Sequence, residues 1–161
     1  MPTTFAVYIG TGRIFDRLTR LASRKIANLP KSSHIELLYG PLPSPTSFCI
    51  SASKRDGHKV RQKLIKFDPH HWRFWTLPDL DNAKVWTEAT RHLGKSYDLL
   101  GAVLSVTPFA CASDKAVFCS QYMGMLCGFP DPHTLTPSDW ERHAIMSGAE
   151  MTILTKGAAR D

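Results

Sequence analysis

Residues 117–123, Val117-Phe118-Cys119-Ser120-Gln121-Tyr122-Met123, place a cysteine at the start of an apolar helical stretch. Met123 and Leu126 continue the apolar spacing and Gly128 is a typical helix stop, which together predict a helix over residues 118–127. Cys119 is expected in the first turn of this helix. A helix N-terminus favours negative charge, so a thiol whose free pKa is about 8.5 is more readily a thiolate there. The stretch therefore predicts a nucleophilic cysteine around which the other elements pack.

A nucleophilic cysteine needs a base, and the best candidate is His34, far upstream in the chain. His34 opens the alternating stretch His34-Ile35-Glu36-Leu37-Leu38-Tyr39, which predicts a β-strand with His34 and Glu36 on one face. This combination is typical of a cysteine hydrolase. The alternative for Cys119 is plain burial, because cysteine is among the residue types most often found in apolar cores.

The chain has 161 residues and is 43% hydrophobic, which suits one globular domain with a substantial core. We expect that domain over residues 1–156 and a frayed tail over residues 157–161. No stretch approaches the roughly 18 apolar residues that a membrane span needs, and the first residues lack the order of a signal peptide. The sequence therefore predicts a cytoplasmic protein.

Four cysteines are spread along the chain with no C-x-x-C pair: Cys49, Cys111, Cys119 and Cys127. In a cytoplasmic protein they are expected to be reduced thiols rather than two disulfides. The spacing also does not resemble a zinc site. We expect neither a metal nor an organic cofactor.

Positive charge is concentrated in the first half of the chain. Residues 1–75 carry thirteen Lys and Arg against four acids, whereas the remainder carries seven against ten. A basic half is compatible with a module that binds nucleic acid or an anionic surface, although it is more often a solvated face. The residues of such a module would be Arg13, Arg17, Arg20, Arg24, Lys25, Lys54, Arg55, Lys59, Arg61 and Lys63. No nucleic-acid-binding signature accompanies them.

The order of the predicted elements indicates an α+β fold, with a small antiparallel sheet packed against helices. Strands are predicted over residues 5–10, 34–39, 48–53, 59–67 and 72–75, with an edge strand over 151–154. Helices are predicted over residues 13–26, 82–93 and 118–127, with a helical or irregular segment over 97–106 and a short helix opening at 137–142.

Four short motifs occur in an order that is similar to a known family: Ser33-His34-Ile35-Glu36, Ser51-Ala52-Ser53 with Asp56-Gly57, Leu93-Gly94-Lys95-Ser96-Tyr97-Asp98, and Phe118-Cys119-Ser120-Gln121. They resemble the YiiX-like group of circularly permuted NlpC-type cysteine hydrolases, which have a papain-like fold. The resemblance covers about residues 5–140. The unpermuted family places the cysteine helix before the histidine strand, whereas here the histidine precedes the cysteine, as in the permuted group.

The resemblance implies Cys119 as nucleophile and His34 as the general base that later protonates the leaving group. It also implies that Tyr97 helps to build the oxyanion and substrate site. The alternative for Tyr97 is an aromatic residue of the core or of a helix cap.

The third catalytic residue, which orients the imidazole, has two candidate positions. The resemblance points to the strand after the histidine, and therefore to Ser51 or Ser53. The residues themselves favour Glu36, since a carboxylate stabilises an imidazolium better than a hydroxyl does. Glu36 lies about 7 Å along the strand from His34, so its side chain must lean back to reach the ring. The alternative for Glu36 is a surface glutamate.

Phe118, Ser120 and Gln121 flank the nucleophile and are the candidate substrate-binding residues. Members of the family that cut peptidoglycan carry Asp-Cys-Ser where this chain has Phe118-Cys119-Ser120. This departure weakens the expectation of a cell-wall substrate and suits an acyl chain or an apolar side chain. The expected substrate is thus a peptide, an amide or an acyl ester. A catalytically inactive papain-like scaffold is the other alternative.

Overall fold

The computed structural model of the protein describes residues 1–10, 31–40, 46–105, 107, 113 and 115–152. The predicted helix over residues 13–26, the loop centred on 41–45 and the predicted tail lie outside these residues. Eight strands are described: β1 (Thr3–Tyr8), β2 (His34–Leu38), β3 (Thr46–Ser53), β4 (Lys59–Lys66), β5 (Trp72–Leu77), β6 (Ser96–Tyr97), β7 (Ala116–Val117) and β8 (Glu150–Thr152).

The strands form one curled sheet in the order β7-β6-β4-β3-β2-β1-β5-β8. Neighbours are antiparallel except β6 and β7, which run parallel. The first strand of the chain is therefore interior, with β2 on one side and β5 on the other. Alternating apolar residues predicted the five longest strands, whereas the two-residue strands β6 and β7 were missed.

Four α-helices are described: α1 (Asn82–Arg91), α2 (Leu99–Leu104), α3 (Cys119–Cys127) and α4 (Pro137–Met146), with a 3-10 turn at Pro132–Thr134. The chain is therefore of mixed α+β architecture, as predicted, in a single small domain. The segment predicted as helical or irregular over residues 97–106 contains the end of strand β6, at Tyr97, and helix α2. Asp98 separates the two, because its side chain accepts the Gly101 N–H at 2.7 Å and caps the helix.

The main core lies between the sheet and the helices. Alternate residues of β2, Ile35 and Leu37, pack there with Tyr122 and Met123 of α3. Phe5 of β1 meets Trp140 of α4 with ring centroids 4.9 Å apart. Because side chains alternate along a strand, His34 and Glu36 belong to the other face of β2. The fold thus separates an apolar helix-covered face from a face that carries the polar residues of the site.

No helix in the described part of the chain is both long enough and apolar enough to cross a membrane.

Candidate active site

Cys119 is the first residue of helix α3, directly after strand β7 and Phe118. Phe118 has extended backbone, with φ −108° and ψ 168°, which turns the chain from the strand into the helix. Gly128 ends the helix in the left-handed conformation, with φ 69°, where a side chain is disfavoured. Cys119 is 5% exposed and lies where the sequence predicted it, in the first helical turn.

The N-terminus of α3 lacks the side-chain cap that the other three described helices have. Asp81, Asp98 and Thr136 each accept a backbone N–H in the first turn of α1, α2 and α4. Phe118 occupies the same position in α3, and its phenyl ring offers no acceptor. The first N–H groups of α3 therefore face the neighbourhood of Cys119 without an N-cap oxygen.

His34 joins Cys119 to Glu36. The His34 Nε2 donates to Glu36 Oε1 at 2.7 Å, and the Cys119 thiol contacts the same imidazole. Burial alone would lower the pKa of His34. The Glu36 charge, and then the hydrogen bond and charge of Cys119, outweigh burial and raise this pKa to about 10. The imidazole is therefore protonated at neutral pH.

Glu36 is held as a carboxylate by Arg61, which lies on β4. The Arg61 guanidinium donates to both carboxylate oxygens, at 2.7 Å to Oε2 and 2.5 Å to Oε1. Burial would raise the pKa of Glu36, whose residue is 1% exposed, but the Arg61 hydrogen bonds and the His34 charge lower it. A buried negative charge next to the imidazole is thus stabilised in place.

A second carboxylate, Asp56, extends the network to the surface. Arg61 Nε donates to Asp56 Oδ2 at 2.9 Å, and Lys63 Nζ donates to Oδ1 at 2.8 Å. Burial would raise the pKa of Asp56, yet the hydrogen bonds from Lys63 and Arg61 lower it. Neither Arg61 nor Asp56 was predicted from the sequence to have a catalytic role. The sequence feature that could have identified Arg61 is the alternation of side chains along β4. It places Arg61 on the face of the sheet opposite buried Val60.

The structure brings Glu36 to His34 and places the two serines elsewhere. Ser51 Oγ donates to the Ile35 carbonyl at 2.6 Å and braces the strand pair β2–β3. Ser53 Oγ donates to Asp56 Oδ2 at 3.0 Å. The carboxylate of Glu36, and not a serine hydroxyl, is therefore the group bonded to the imidazole.

The three residues predicted to bind substrate are buried and serve the helix. Phe118 is 2% exposed, and Ser120 Oγ donates to the Leu135 carbonyl at 2.6 Å. Gln121 Oε1 accepts the Phe118 N–H at 3.4 Å. These contacts fasten the start of α3 to its surroundings. Whether the three residues contact a substrate stays a prediction.

A cleft of about 370 Å³ lies on the polar face of the sheet. His34 and Glu36 line the cleft, and Cys119 adjoins it through His34. Tyr97 also lines it, with its backbone N–H donating to the His58 carbonyl at 2.8 Å and its ring packed on the core. The other lining residues are Tyr8, Ser33, Ser53, Lys54, Arg55, Asp56, Arg61, Lys63, Leu64, Ile65, Lys66 and Trp72. The cleft combines aromatic walls with a basic rim.

Ser33 is a feature of the cleft that sequence reasoning missed. Ser33 is 5% exposed, and its Oγ has no hydrogen-bond partner among the described residues. A buried hydroxyl without a partner is costly and marks a place where a ligand or water can bond.

The other described cysteines, Cys49 and Cys127, differ from Cys119 in their surroundings. Burial is the main cause that raises the pKa of both thiols above the ordinary value. Cys111 lies outside the described residues. All three described cysteines are free thiols. Among the described residues, no group of three or more His, Cys, Asp or Glu side chains is arranged to hold a metal ion.

Half of the alternative basic module lies outside the described residues, namely Arg13, Arg17, Arg20, Arg24 and Lys25. Of the rest, Lys54, Arg55, Arg61 and Lys63 line the cleft, while Lys59 is exposed on β4.

No protein-family model, curated protein or solved structure matches this chain.

Proposed function

We propose that the protein is a cysteine hydrolase with a papain-like, circularly permuted NlpC-type arrangement. The observation that carries the proposal is the series Cys119, His34 and Glu36, in which a thiol and a carboxylate contact the same imidazole. A nucleophile, a base and a group that orients the base are the parts that covalent acyl transfer requires.

In the proposed mechanism Cys119 has given its proton to His34 before substrate binds. The raised pKa of His34, about 10, supports this state, because the imidazolium is stabilised between two negative groups. Glu36 occupies Nε2, which leaves Nδ1 as the nitrogen that exchanges a proton with the thiol.

The Cys119 thiolate attacks the carbonyl carbon of an amide or ester, forming a C–S bond. Free N–H groups at the start of α3 stabilise the negative oxygen of the tetrahedral intermediate, with Tyr97 placed to contact the substrate. The C–N or C–O bond then breaks, and His34 gives its proton to the leaving group. Neutral His34 next removes a proton from a water molecule, whose oxygen attacks the acyl carbon. The C–S bond then breaks, which releases the carboxylic acid and restores the Cys119 thiolate beside protonated His34. No metal or cofactor enters any step.

A reducing compartment suits this chemistry, because the nucleophile must remain a free thiol. We therefore place the activity in the cytoplasm.

The test is the rate of alkylation of each cysteine by iodoacetamide between pH 5 and 9, followed residue by residue with mass spectrometry. We expect Cys119 to react rapidly near neutral pH, and Cys49 and Cys127 to react slowly, since burial raises the pKa of both. In His34→Ala the fast reaction of Cys119 should disappear. Fluorescence-monitored urea unfolding shows whether that variant is folded, and His34→Asn provides a second, less disruptive substitution.

The result that would contradict the proposal is an unreactive Cys119 in the folded wild-type protein. If Cys119 reacts no faster than Cys49 and Cys127, and both His34 variants leave its rate unchanged, the chain is not a thiol hydrolase. The inactive scaffold would then be the better description.

A further inference from the structure

Two serines directly precede His34, and the structure gives their hydroxyls different surroundings. Ser32 is fully buried, and its Oγ lies 3.1 Å from Ser138 Oγ, within hydrogen-bond distance. Ser33 is only 5% exposed, yet its Oγ has no hydrogen-bond partner among the described residues. A buried hydroxyl without a partner costs free energy, so the folding of the chain does not explain its presence.

The position of Ser33 gives its hydroxyl access to the cleft, whose lining it shares with His34. The backbone of Ser33 is held on β1, because its N–H donates to the Tyr8 carbonyl at 3.0 Å. Ser53 is the other serine of this lining among the described residues, and its Oγ already donates to Asp56 Oδ2 at 3.0 Å. Ser33 therefore combines a fixed backbone with a hydroxyl donor that is left for a ligand.

Ser33 also lies at the end of β2 that meets the proposed nucleophile. His34 is the first residue of β2 and Cys119 is the first residue of α3, and the imidazole contacts the thiol. This contact brings the N-terminal ends of the strand and the helix together. Ser33 is joined directly to His34, with Cα atoms about 3.8 Å apart. The Ser33 hydroxyl and the first N–H groups of α3 are therefore donors at the same end of the site.

We propose that Ser33 is a catalytic residue whose hydroxyl donates a hydrogen bond to the oxygen of the carbonyl group that Cys119 attacks. This inference rests on the proposed function, because it adds a donor to the same reaction. As the C–S bond forms, the electron pair of the carbonyl π bond moves to oxygen. Ser33 stabilises that negative charge and keeps its own proton. The electron pair returns when the C–N or C–O bond breaks, and the leaving group takes the proton of His34.

The test compares two reactions of Cys119, of which only one creates a negatively charged oxygen. Acylation by p-nitrophenyl butyrate passes through a tetrahedral oxyanion, and the burst of p-nitrophenolate measures its rate. Exchange with 2,2′-dipyridyl disulfide, which contains no carbonyl group, reports the thiolate, and mass spectrometry reads it residue by residue. In Ser33→Ala we expect the acylation rate constant at saturating ester to fall about 10- to 100-fold. The exchange rate of Cys119 should stay within about twofold of wild type.

The matched control is Ser32→Ala, which removes the neighbouring hydroxyl. Ser32 does not line the cleft, and its bond to Ser138 is part of the fold. We expect this control to lower the urea midpoint of unfolding and to leave both reactions of Cys119 within about twofold of wild type. Ser33→Ala should not lower the midpoint, because the hydroxyl that it removes has no partner to lose.

Three results would overturn the inference and leave the reactive thiol intact. The first is acylation that is equally fast, or equally absent, in wild type and Ser33→Ala, as expected if the hydroxyl bonds only water. The second is a loss confined to the ester concentration at half-saturation, since Ser33 would then contact a part of the ester that does not react. The third is a fall in urea midpoint as large as that of Ser32→Ala, which would assign Ser33 to the fold.

Failure of the proposed function gives a different result. A Cys119 that exchanges with 2,2′-dipyridyl disulfide no faster than Cys49 and Cys127 in the folded wild-type protein contradicts the hydrolase itself.

Discussion

Glu36 and Glu141 are both buried glutamates held by the two-pronged guanidinium of an arginine, and they differ in their third partner. Arg73 donates to both oxygens of Glu141, and the third donor is the indole of Trp75 at 2.7 Å. The third partner of Glu36 is His34, whose side chain is 22% exposed and lines the cleft.

The comparison separates a structural ion pair from a chemical one. An indole N–H neither gains nor loses a proton near neutral pH, so the contacts of Glu141 with Arg73 and Trp75 are a static link between α4 and β5. An imidazole exchanges protons, and this one also contacts a thiol. In both places the arginine holds a negatively charged glutamate in position, and the third partner of that glutamate distinguishes the two sites.

The largest effect is expected when the structural pair is broken. Glu141→Gln leaves Arg73, which is 3% exposed, without its countercharge, and such a loss costs about 3–5 kcal/mol of unfolding free energy. Urea unfolding measures this cost. The iodoacetamide rate at Cys119 in the folded variant should stay within about twofold of wild type.

The control for this substitution is Glu88→Gln. Glu88 is 48% exposed and pairs with Arg91 at 2.6 Å, so its loss should cost less than about 1 kcal/mol. A folded Glu141→Gln protein with an unreactive Cys119 would show that the two networks are coupled, and the comparison would fail.

The second effect concerns the chemical pair. Glu36→Gln keeps the shape of the side chain but removes the charge that stabilises the His34 imidazolium. A hydrogen bond to a charged partner contributes about 1.5–3 kcal/mol, so the alkylation rate of Cys119 at pH 7 should fall about 10- to 100-fold. Rate measurements at several reagent concentrations check this.

Asp56→Asn is the matched control for Glu36→Gln. Asp56 bonds the same Arg61 but makes no contact with His34 among the described residues. We expect the alkylation rate of Cys119 to be at least about threefold higher in Asp56→Asn than in Glu36→Gln. A threefold ratio corresponds to about 0.7 kcal/mol of activation free energy. Equal effects would mean that the charge acts through Arg61 rather than directly on the imidazole.

The third effect is a pH dependence of stability that only the chemical pair should show. The folded-state pKa of His34, about 10, lies above its ordinary value of 6.5. Its contribution to stability is therefore complete below pH 6.5 and is lost as pH rises towards 10. Comparing urea unfolding of wild type and His34→Gln, we expect the difference to narrow steadily over this interval. A difference that is constant with pH would refute the raised pKa.

The smallest effect is expected at the exposed end of the Glu36 network. Lys63 is 52% exposed and bonds Asp56, so Lys63→Gln should lower the unfolding free energy by less than about 1 kcal/mol. The loss should decrease in 300 mM NaCl. A loss above about 2 kcal/mol would show that the outer pair is as structural as Arg73 and Glu141.

Local patterns predicted much of the fold because apolar residues in the sequence recur with the period of a strand or a helix. The strands at residues 34–38 and 46–53 lie within two residues of the predicted bounds, although neither shows alternating burial, because most of their residues are buried on both faces of the sheet. Strands β6 and β7 contain two residues each, too few to show any period, and only their partners define them.

The candidate site was predictable only in part, since its contacts join different strands. Cys119 and His34 could be proposed from motifs, but the choice among Glu36, Ser51 and Ser53 depended on side-chain reach. The structure gives Glu36 the contact because Arg61, two strands away, fixes its carboxylate. Pairing of this kind depends on strand register, which a sequence does not display locally.

The interior position of β1 has a consequence for the order in which the candidate site assembles. Strand β1 has both edges paired only after β5 has been synthesised, more than sixty residues later in the chain. The thiol of Cys119 is synthesised later still. During synthesis His34 and Glu36 therefore emerge more than eighty residues before Cys119. Reactivity should arise in one late step, when α3 docks on β2 and β3.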